Sequence, residues 1–188
     1  MMIKEQIEKK LPTIENDSQI ISSILSDVVS QYTNDLDTIM CGINNEILLV
    51  TNPAIYTIEQ YFLRLSSCLY FMCEQVEQLG VYDSISKSKA QEAYNNSYLN
   101  HQYQFDKSDL KKKPTIAELT ALSEQDALYD KTINDLYNKA YKIVKNKIAA
   151  AETMVGTLSK ILSHRIQESQ LTSSQTGRQI LNEGERYF

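Results

Sequence analysis

The chain has 188 residues and a net charge of −5, and hydrophobic and charged residues make up 42% and 23% of it. These proportions are those of a folded globular protein and exclude a disordered chain. Only five glycines and three prolines are present, which excludes a fold of many short strands joined by tight turns. We therefore predict an all-α protein.

Three helices are predicted in the N-terminal region. The first is capped by Asp17 or Ser18, and its spacing predicts one buried apolar stripe. The second is predicted from Pro53, which suits a first helical position, to Gly80, which suits a C-terminal stop. Asp83 is the predicted cap of the third helix. The members of the buried stripe predicted on the first helix are Ile20, Ile21, Ile24, Leu25, Val28, Val29 and Tyr32.

A charged connection leads from Asp106 to Pro114, and a capping box follows at Thr115 and Glu118. No proline follows up to about Leu171, which predicts one long helix, kinked at most at its single glycine. The expected organisation is helical hairpins followed by this helix. Its parts are an N-terminal region (1–113), a long oligomerisation helix (114–171) and a loosely held tail (172–188).

The long helix carries apolar residues at alternating steps of four and three, the repeat of a left-handed coiled coil. Partner helices from the same chain would explain part of this stripe. One subunit is nevertheless expected to leave part of it uncovered, so the stripe predicts a homo-oligomer. The residues predicted for oligomerisation are Tyr137, Tyr141, Val144, Ile148, Ala151, Val155, Leu158 and Leu162.

No motif for phosphate binding, metal-dependent hydrolysis or nucleophilic catalysis occurs in the sequence. His101 and His164 are the only histidines, and solvated or capping roles are expected for them. Cys41, Cys68 and Cys73 lie in apolar stretches without a C-x-x-C pair, which predicts buried, reduced and inert thiols. We expect no enzymatic activity, no cofactor and no bound metal.

Charge is unevenly distributed along the chain. Residues 1–86 carry four basic and twelve acidic side chains, whereas residues 87–113 carry six basic and three acidic ones. In this basic zone tyrosines lie between the lysines, which combines charge for phosphates with rings for stacking bases. The alternative is that the lysines solvate helices and the tyrosines belong to the core. The candidate DNA contacts are Lys87, Lys89, Tyr94, Tyr98, Lys111, Lys112 and Lys113.

Four features of the sequence follow one another in a recognisable order. They are Lys87-Ser88-Lys89, Tyr94, the charged connection up to Pro114 and a helix from Leu119 to Ile166. Over roughly residues 60 to 170 this order resembles the UvsY-type recombination mediators of tailed phages. Those proteins are small and helical, form rings and bind single-stranded DNA. Their short basic motif and aromatic residues are similar to the stretch that begins at Lys87.

The resemblance implies a homo-oligomer that binds single-stranded DNA and contacts a recombinase and a single-strand-binding protein. It also implies a phage protein in the host cytoplasm, and the start of the chain predicts neither a secretory signal nor a membrane partner. The alternative is a helical phage protein, structural or inhibitory towards a host system, that binds only protein. Overall acidity favours that alternative.

Overall fold

The computed structural model describes residues 2–107 and 114–184, with side chains for residues 16–107 and 114–172. In this part of the chain nearly every residue is helical and no β-strand occurs, so the predicted all-α fold is confirmed. No helix in these ranges is both long and apolar enough to cross a membrane. The α-helices are α1 (Met2–Ile43), α2 (Ile55–Lys107), α3 (Ile116–Asp126) and α4 (Leu128–Gly184).

A short π-helical segment, Asn44–Leu48, follows α1 directly and leads into the connection to α2. It closes where the Leu49 N–H donates to the Asn44 carbonyl oxygen over 3.0 Å. α2 then begins at Ile55. Pro53, predicted as the first helical residue, lies two residues before the helix, where its missing N–H removes no helical hydrogen bond.

α1 begins at Met2, not at the predicted caps Asp17 or Ser18. The predicted stripe on this helix is buried only in its later part, since Val29 is 7% exposed, whereas Ile20 and Ile24 are 51% and 44% exposed. Its other members are exposed or half-buried, namely Ile21, Leu25, Val28 and Tyr32. The spacing therefore identified the apolar face, but the chain's own helices do not cover all of it.

α2 runs without a break through the two positions predicted to end one helix and begin the next. Gly80 lies opposite Tyr141 of α4, and a Cβ at this position would approach the Tyr141 ring to 3.3 Å. Asp83 accepts hydrogen bonds from Asn138 Nδ2 on both carboxylate oxygens, each at 3.2 Å. The predicted break was wrong because both residues serve contacts with α4.

α3 starts with the predicted capping box, which is confirmed. Thr115 Oγ1 accepts from the Glu118 N–H at 3.3 Å, and Glu118 Oε2 accepts from the Thr115 N–H at 2.7 Å. Ala127, with ψ near 1°, separates α3 from α4, so two helices replace the single predicted one. α4 extends to Gly184 and so includes most of the segment predicted as a loose tail.

The helices form two packing units that do not follow chain order. Unit 1 comprises Met1–Tyr32 and Glu74–Lys145, and unit 2 comprises Thr33–Cys73 and Asn146–Phe188. α1, α2 and α4 each contribute a part to both units, whereas α3 belongs to unit 1. Each unit therefore builds its core from segments that are distant in sequence.

The core of unit 2 is aliphatic. Leu36 and Ile43 of α1, Ile58 and Leu65 of α2, and Leu158 of α4 are each at most 1% exposed. Burying a side chain of this size stabilises the fold by about 1.5–3 kcal/mol. Hydrophobic burial at these positions therefore dominates the stability of the unit.

Tyr61 joins α1 to α2 within unit 2. It is 8% exposed, and its hydroxyl donates to Glu46 Oε1 over 2.7 Å. That hydrogen bond and burial raise the pKa of Tyr61. A Cβ at Gly42 would come within 2.7 Å of the ring Cε1 and 2.8 Å of Cζ. Gly42 is therefore required by the close approach of the tyrosine ring.

Lys147 of α4 makes the charged contact with α1 in unit 2. Its Nζ lies 2.5 Å from Asp37 Oδ2 and donates to Thr33 Oγ1 over 3.1 Å. Thr33 is fully buried and also donates to Asp37, at 2.8 Å. The Lys147 side chain remains 36% exposed, so solvent screens the pair and its contribution is small.

In unit 1, α2 and α4 are joined by an aromatic stack and by amide contacts. The Tyr82 and Tyr137 rings stack with centroids 5.8 Å apart and an interplanar angle of 21°. The Ser86 hydroxyl donates to Asn134 Oδ1 over 3.3 Å. Burial, together with the nearby Tyr82 and Tyr137, raises the pKa of Tyr32 on α1. These contacts place three helices of the unit side by side.

Candidate nucleic-acid interface

A polar row on α2 in unit 1 contains the first of the candidate DNA contacts. Lys87 is exposed, and with Gln91 and Asn95 it lines a shallow groove along the helix. Ser88, Glu92 and Asn96 complete the lining. The groove therefore offers one ammonium group, one carboxylate and several amides, a combination able to meet a phosphate and the edges of bases.

Tyr94 and Tyr98 continue this row. They follow Lys87 by seven and eleven residues, so the three residues lie within about 40° of one another around the helix. Both tyrosines are half-buried, and their ring centroids are 6.3 Å apart with an interplanar angle of 32°. We refer to Lys87, Gln91, Tyr94, Asn95 and Tyr98 as the Lys87 row.

Lys89 lies on a different side of α2 from Lys87. Two residues along an α-helix correspond to a rotation of about 200°, so the structure does not bring the two lysines together. Lys89 lines a second groove of unit 1, with Gly80 and Ile85 of α2 and Tyr141 of α4. Glu77, Asp83 and Glu92 also line this groove, which is therefore more acidic than basic.

Other lysines of unit 1 lie against tyrosine rings. Lys107 Nζ is 4.2 Å from the centroid of Tyr103, a residue that is 61% exposed, and Lys145 Nζ is 5.1 Å from that of Tyr141. Each lysine follows its tyrosine by four residues. The i, i+4 spacing is thus a signal by which the Lys107 and Tyr103 pair could have been predicted. Lys111, Lys112 and Lys113 lie outside the described residues.

Ser97, His101 and Asp126 form a cluster between α2 and the end of α3. Asp126 Oδ2 accepts from the Ser97 hydroxyl over 2.5 Å and lies 2.8 Å from His101 Nε2. These hydrogen bonds, that of Ser97 first, lower the pKa of Asp126. The carboxylate lies between the serine and the histidine, so the cluster lacks the order in which a histidine activates a serine. It therefore serves to fasten α3 to α2.

The thiols differ from the prediction of three buried cysteines. Cys41 and Cys73 are exposed, and Cys68 is half-buried. Burial and the nearby Asp35 raise the pKa of Cys68. Apolar residues next to Cys41 and Cys73 in the sequence do not predict this exposure, because consecutive residues of a helix lie on different sides of it. Among the described residues no three His, Cys, Asp or Glu side chains converge as a metal site would require.

The stripe predicted for oligomerisation lies mainly against the chain's own helices. Val144, Ala151 and Leu158, at intervals of seven, are fully buried within one chain. The remaining members are half-buried, namely Tyr137, Tyr141, Ile148, Val155 and Leu162. Packing inside the subunit therefore accounts for the centre of the stripe, and a second copy has access to its flanks.

No protein-family model, curated protein or solved structure matches this chain.

Proposed function

We propose that this protein binds single-stranded DNA through the Lys87 row and acts as a recombination mediator that helps a recombinase assemble on DNA. The observation that carries the proposal is the alignment of Lys87 with Tyr94 and Tyr98 along one side of α2. Lysine neutralises a phosphate and releases counterions, and tyrosine rings stack on bases without regard to sequence. The mediator role rests on the resemblance to the UvsY-type proteins.

The charges of the groove indicate weak binding by each subunit. Lys87 supplies the positive charge in the groove beside the Lys87 row, and the carboxylate of Glu92 in the same groove opposes that charge. One phosphate contact per subunit gives little affinity at physiological salt. Several subunits on one strand would multiply these contacts, because later contacts form at high effective concentration. The proposal therefore includes a homo-oligomer.

Fluorescence anisotropy of a labelled oligothymidylate, measured over a range of salt concentrations, tests DNA binding. Lys87→Ala should weaken binding and reduce the salt slope by about 0.7 for each phosphate that the variant no longer neutralises. Glu92→Gln should strengthen binding, because it removes the carboxylate from the same groove. Lys160→Ala is the matched control, since Lys160 is an exposed lysine of α4 in unit 2.

The tyrosines are tested separately. Tyr98→Phe keeps the ring and should retain binding, whereas Tyr98→Ser should lose about 1–3 kcal/mol per stacked base. Circular dichroism confirms that each variant folds. The mediator role is tested by adding the protein to recombinase and to DNA coated with single-strand-binding protein. Faster assembly of the recombinase is expected, and no change in its rate would contradict the role.

A second candidate function is binding to protein alone, as a structural component or an inhibitor of a host system. Ile20, Ile21 and Ile24 of α1 favour it, because they are 51%, 37% and 44% exposed on one face of a helix. Asp17 and Asp27 lie on the same stretch, in which no lysine balances their negative charge. If the wild-type protein does not bind oligonucleotide even at low salt, this function replaces the first.

A further inference from the structure

α2 carries two apolar stripes on different sides within unit 2. The inner stripe, Ile58, Leu65 and Met72, repeats every seven residues and is at most 4% exposed. A second set with the same repeat begins two residues earlier, so it lies about 160° away around the helix. This set, which we call the outer stripe, consists of Tyr56, Leu63 and Tyr70, and these are 68%, 65% and 76% exposed.

The outer stripe has the composition and spacing of a helix-pairing surface. Residues seven apart form a nearly straight line on a helix, so the surface fits another helix better than a flat or irregular partner. Tyrosine is enriched at protein interfaces, whereas three large apolar side chains in line and two-thirds exposed are unusual for the surface of a monomer. Phe71, 66% exposed, borders the stripe and contacts the Tyr70 ring edge-on, with centroids 5.4 Å apart.

We infer that the outer stripe pairs with the outer stripe of a second copy of this chain, antiparallel, about a two-fold axis at Leu63. Because the three residues are equally spaced, this axis places Leu63 on Leu63 and Tyr56 on Tyr70 of the other copy. Gln60 and Ser67, which lie between them, then come within one residue of each other across the axis, an amide near a hydroxyl. Every layer of the outer stripe is therefore matched by symmetry.

Charges select the antiparallel arrangement. Glu74 follows Gln60 and Ser67 at the same interval of seven residues and is exposed. A parallel pair would place the two Glu74 carboxylates side by side, whereas the antiparallel pair places each beyond the start of the other α2 at Ile55. Arg64 also borders the face, but its guanidinium lies 5.6 Å from the centroid of Tyr61, a buried ring on the inner side. Its charge is thus drawn away from the seam.

The area is consistent with a reversible dimer. Large side chains of this kind bury roughly 150–250 Å² each when fully covered. Covering the exposed parts of the outer stripe and Phe71 on both copies would bury on the order of 1,000 Å², the lower limit for a specific interface. This dimer does not depend on the proposed DNA binding, so it can be measured without DNA and can fail or hold whether or not the protein binds DNA.

Sedimentation velocity of the full chain at tens of micromolar tests the pairing. The wild type should be a dimer or a larger assembly, and Leu63→Glu should reduce its mass at least twofold with unchanged helical circular dichroism. Leu99→Glu is the matched control, because Leu99 is 61% exposed on α2 but outside the outer stripe, and it should leave the mass unchanged. A monomeric wild type, or a Leu63→Glu variant of wild-type mass, would overturn the inference.

Disulfide cross-linking tests the orientation in a background where the three native cysteines are replaced by serine. Leu63→Cys should cross-link with itself. Tyr56→Cys should not, because two copies of this position would be about 21 Å apart along the axis, but it should cross-link when mixed with Tyr70→Cys. Self-cross-linking of Tyr56→Cys, or failure of Leu63→Cys to cross-link, would overturn the antiparallel pairing.

Discussion

Replacing Gly42 by alanine should destabilise the protein, although alanine is the better helix former. The added Cβ would lie 2.7 Å from Cε1 and 2.8 Å from Cζ of Tyr61, closer than carbon atoms approach without a shift. The ring cannot move freely, because it is buried and its hydroxyl is hydrogen-bonded to Glu46. Either the ring leaves this position or α1 and α2 separate locally.

The expected magnitude combines three contributions. Alanine in place of glycine inside a helix stabilises by about 1 kcal/mol. Overpacking costs about 1–3 kcal/mol, and loss of the hydrogen bond between Tyr61 and Glu46 costs about 1 kcal/mol more. Gly42→Ala should therefore lower the free energy of unfolding by about 1–3 kcal/mol. In a chain of this length each kcal/mol lowers Tm by about 2–4 °C.

Urea unfolding followed by circular dichroism measures this difference, and other glycines of the helices provide controls. Gly156→Ala should stabilise by about 1 kcal/mol, because no atom lies within 4 Å of the added Cβ. Gly80→Ala should have little effect, since the gain is offset by contact with the Tyr141 ring at 3.3 Å. If Gly42→Ala stabilises as Gly156→Ala does, the packing attributed to Tyr61 is wrong.

Three further predictions concern charges and thiols. The pKa of Asp126 is lowered from 3.8 in the folded state, so its carboxylate stabilises the fold above that pH, and this stabilisation is lost as the pH falls below it. Tm should therefore fall more steeply below about pH 4 in the wild type than in Asp126→Asn. Under a short pulse of alkylating reagent, mass spectrometry should find Cys41 and Cys73 modified before Cys68, whose thiolate is disfavoured by burial; equal rates would contradict this order. Lys147→Met should lower the free energy of unfolding by about 1 kcal/mol, and less at high salt; an effect that salt does not change would argue against an ionic contribution.

The parts of the fold that sequence predicted correctly depend on neighbouring residues. The capping box at Thr115 and Glu118 is formed within four residues, so its letters suffice to predict it. The helical face of α2 that contains Ile58 and Leu65 is likewise visible as a spacing. The break between α3 and α4 at Ala127 could not be predicted in this way. Alanine is the strongest helix former, and the residues around it give no signal for a break.

The errors arose where a residue serves a distant contact. Gly80 and Asp83 have the residue types of a helix end and a helix cap, but they are explained by side chains of α4 more than fifty positions away. The separation of Lys87 from Lys89, in contrast, follows from helix geometry alone and was predictable. Which part of an apolar face is covered, as at Ile20, depends on contacts with segments distant in sequence, and a local pattern does not show these.

The stacked rings of Tyr82 and Tyr137 make the protein its own optical reporter. The sequence contains twelve tyrosines and no tryptophan, so no indole band masks tyrosine signals in the near ultraviolet. Two rings 5.8 Å apart couple their electronic transitions strongly, and this coupling falls steeply as they separate. Loosened packing between α2 and α4 in unit 1 would thus weaken the near-ultraviolet dichroism while the helical signal persisted. Unlabelled protein can therefore report on its own packing in unit 1 without an introduced probe.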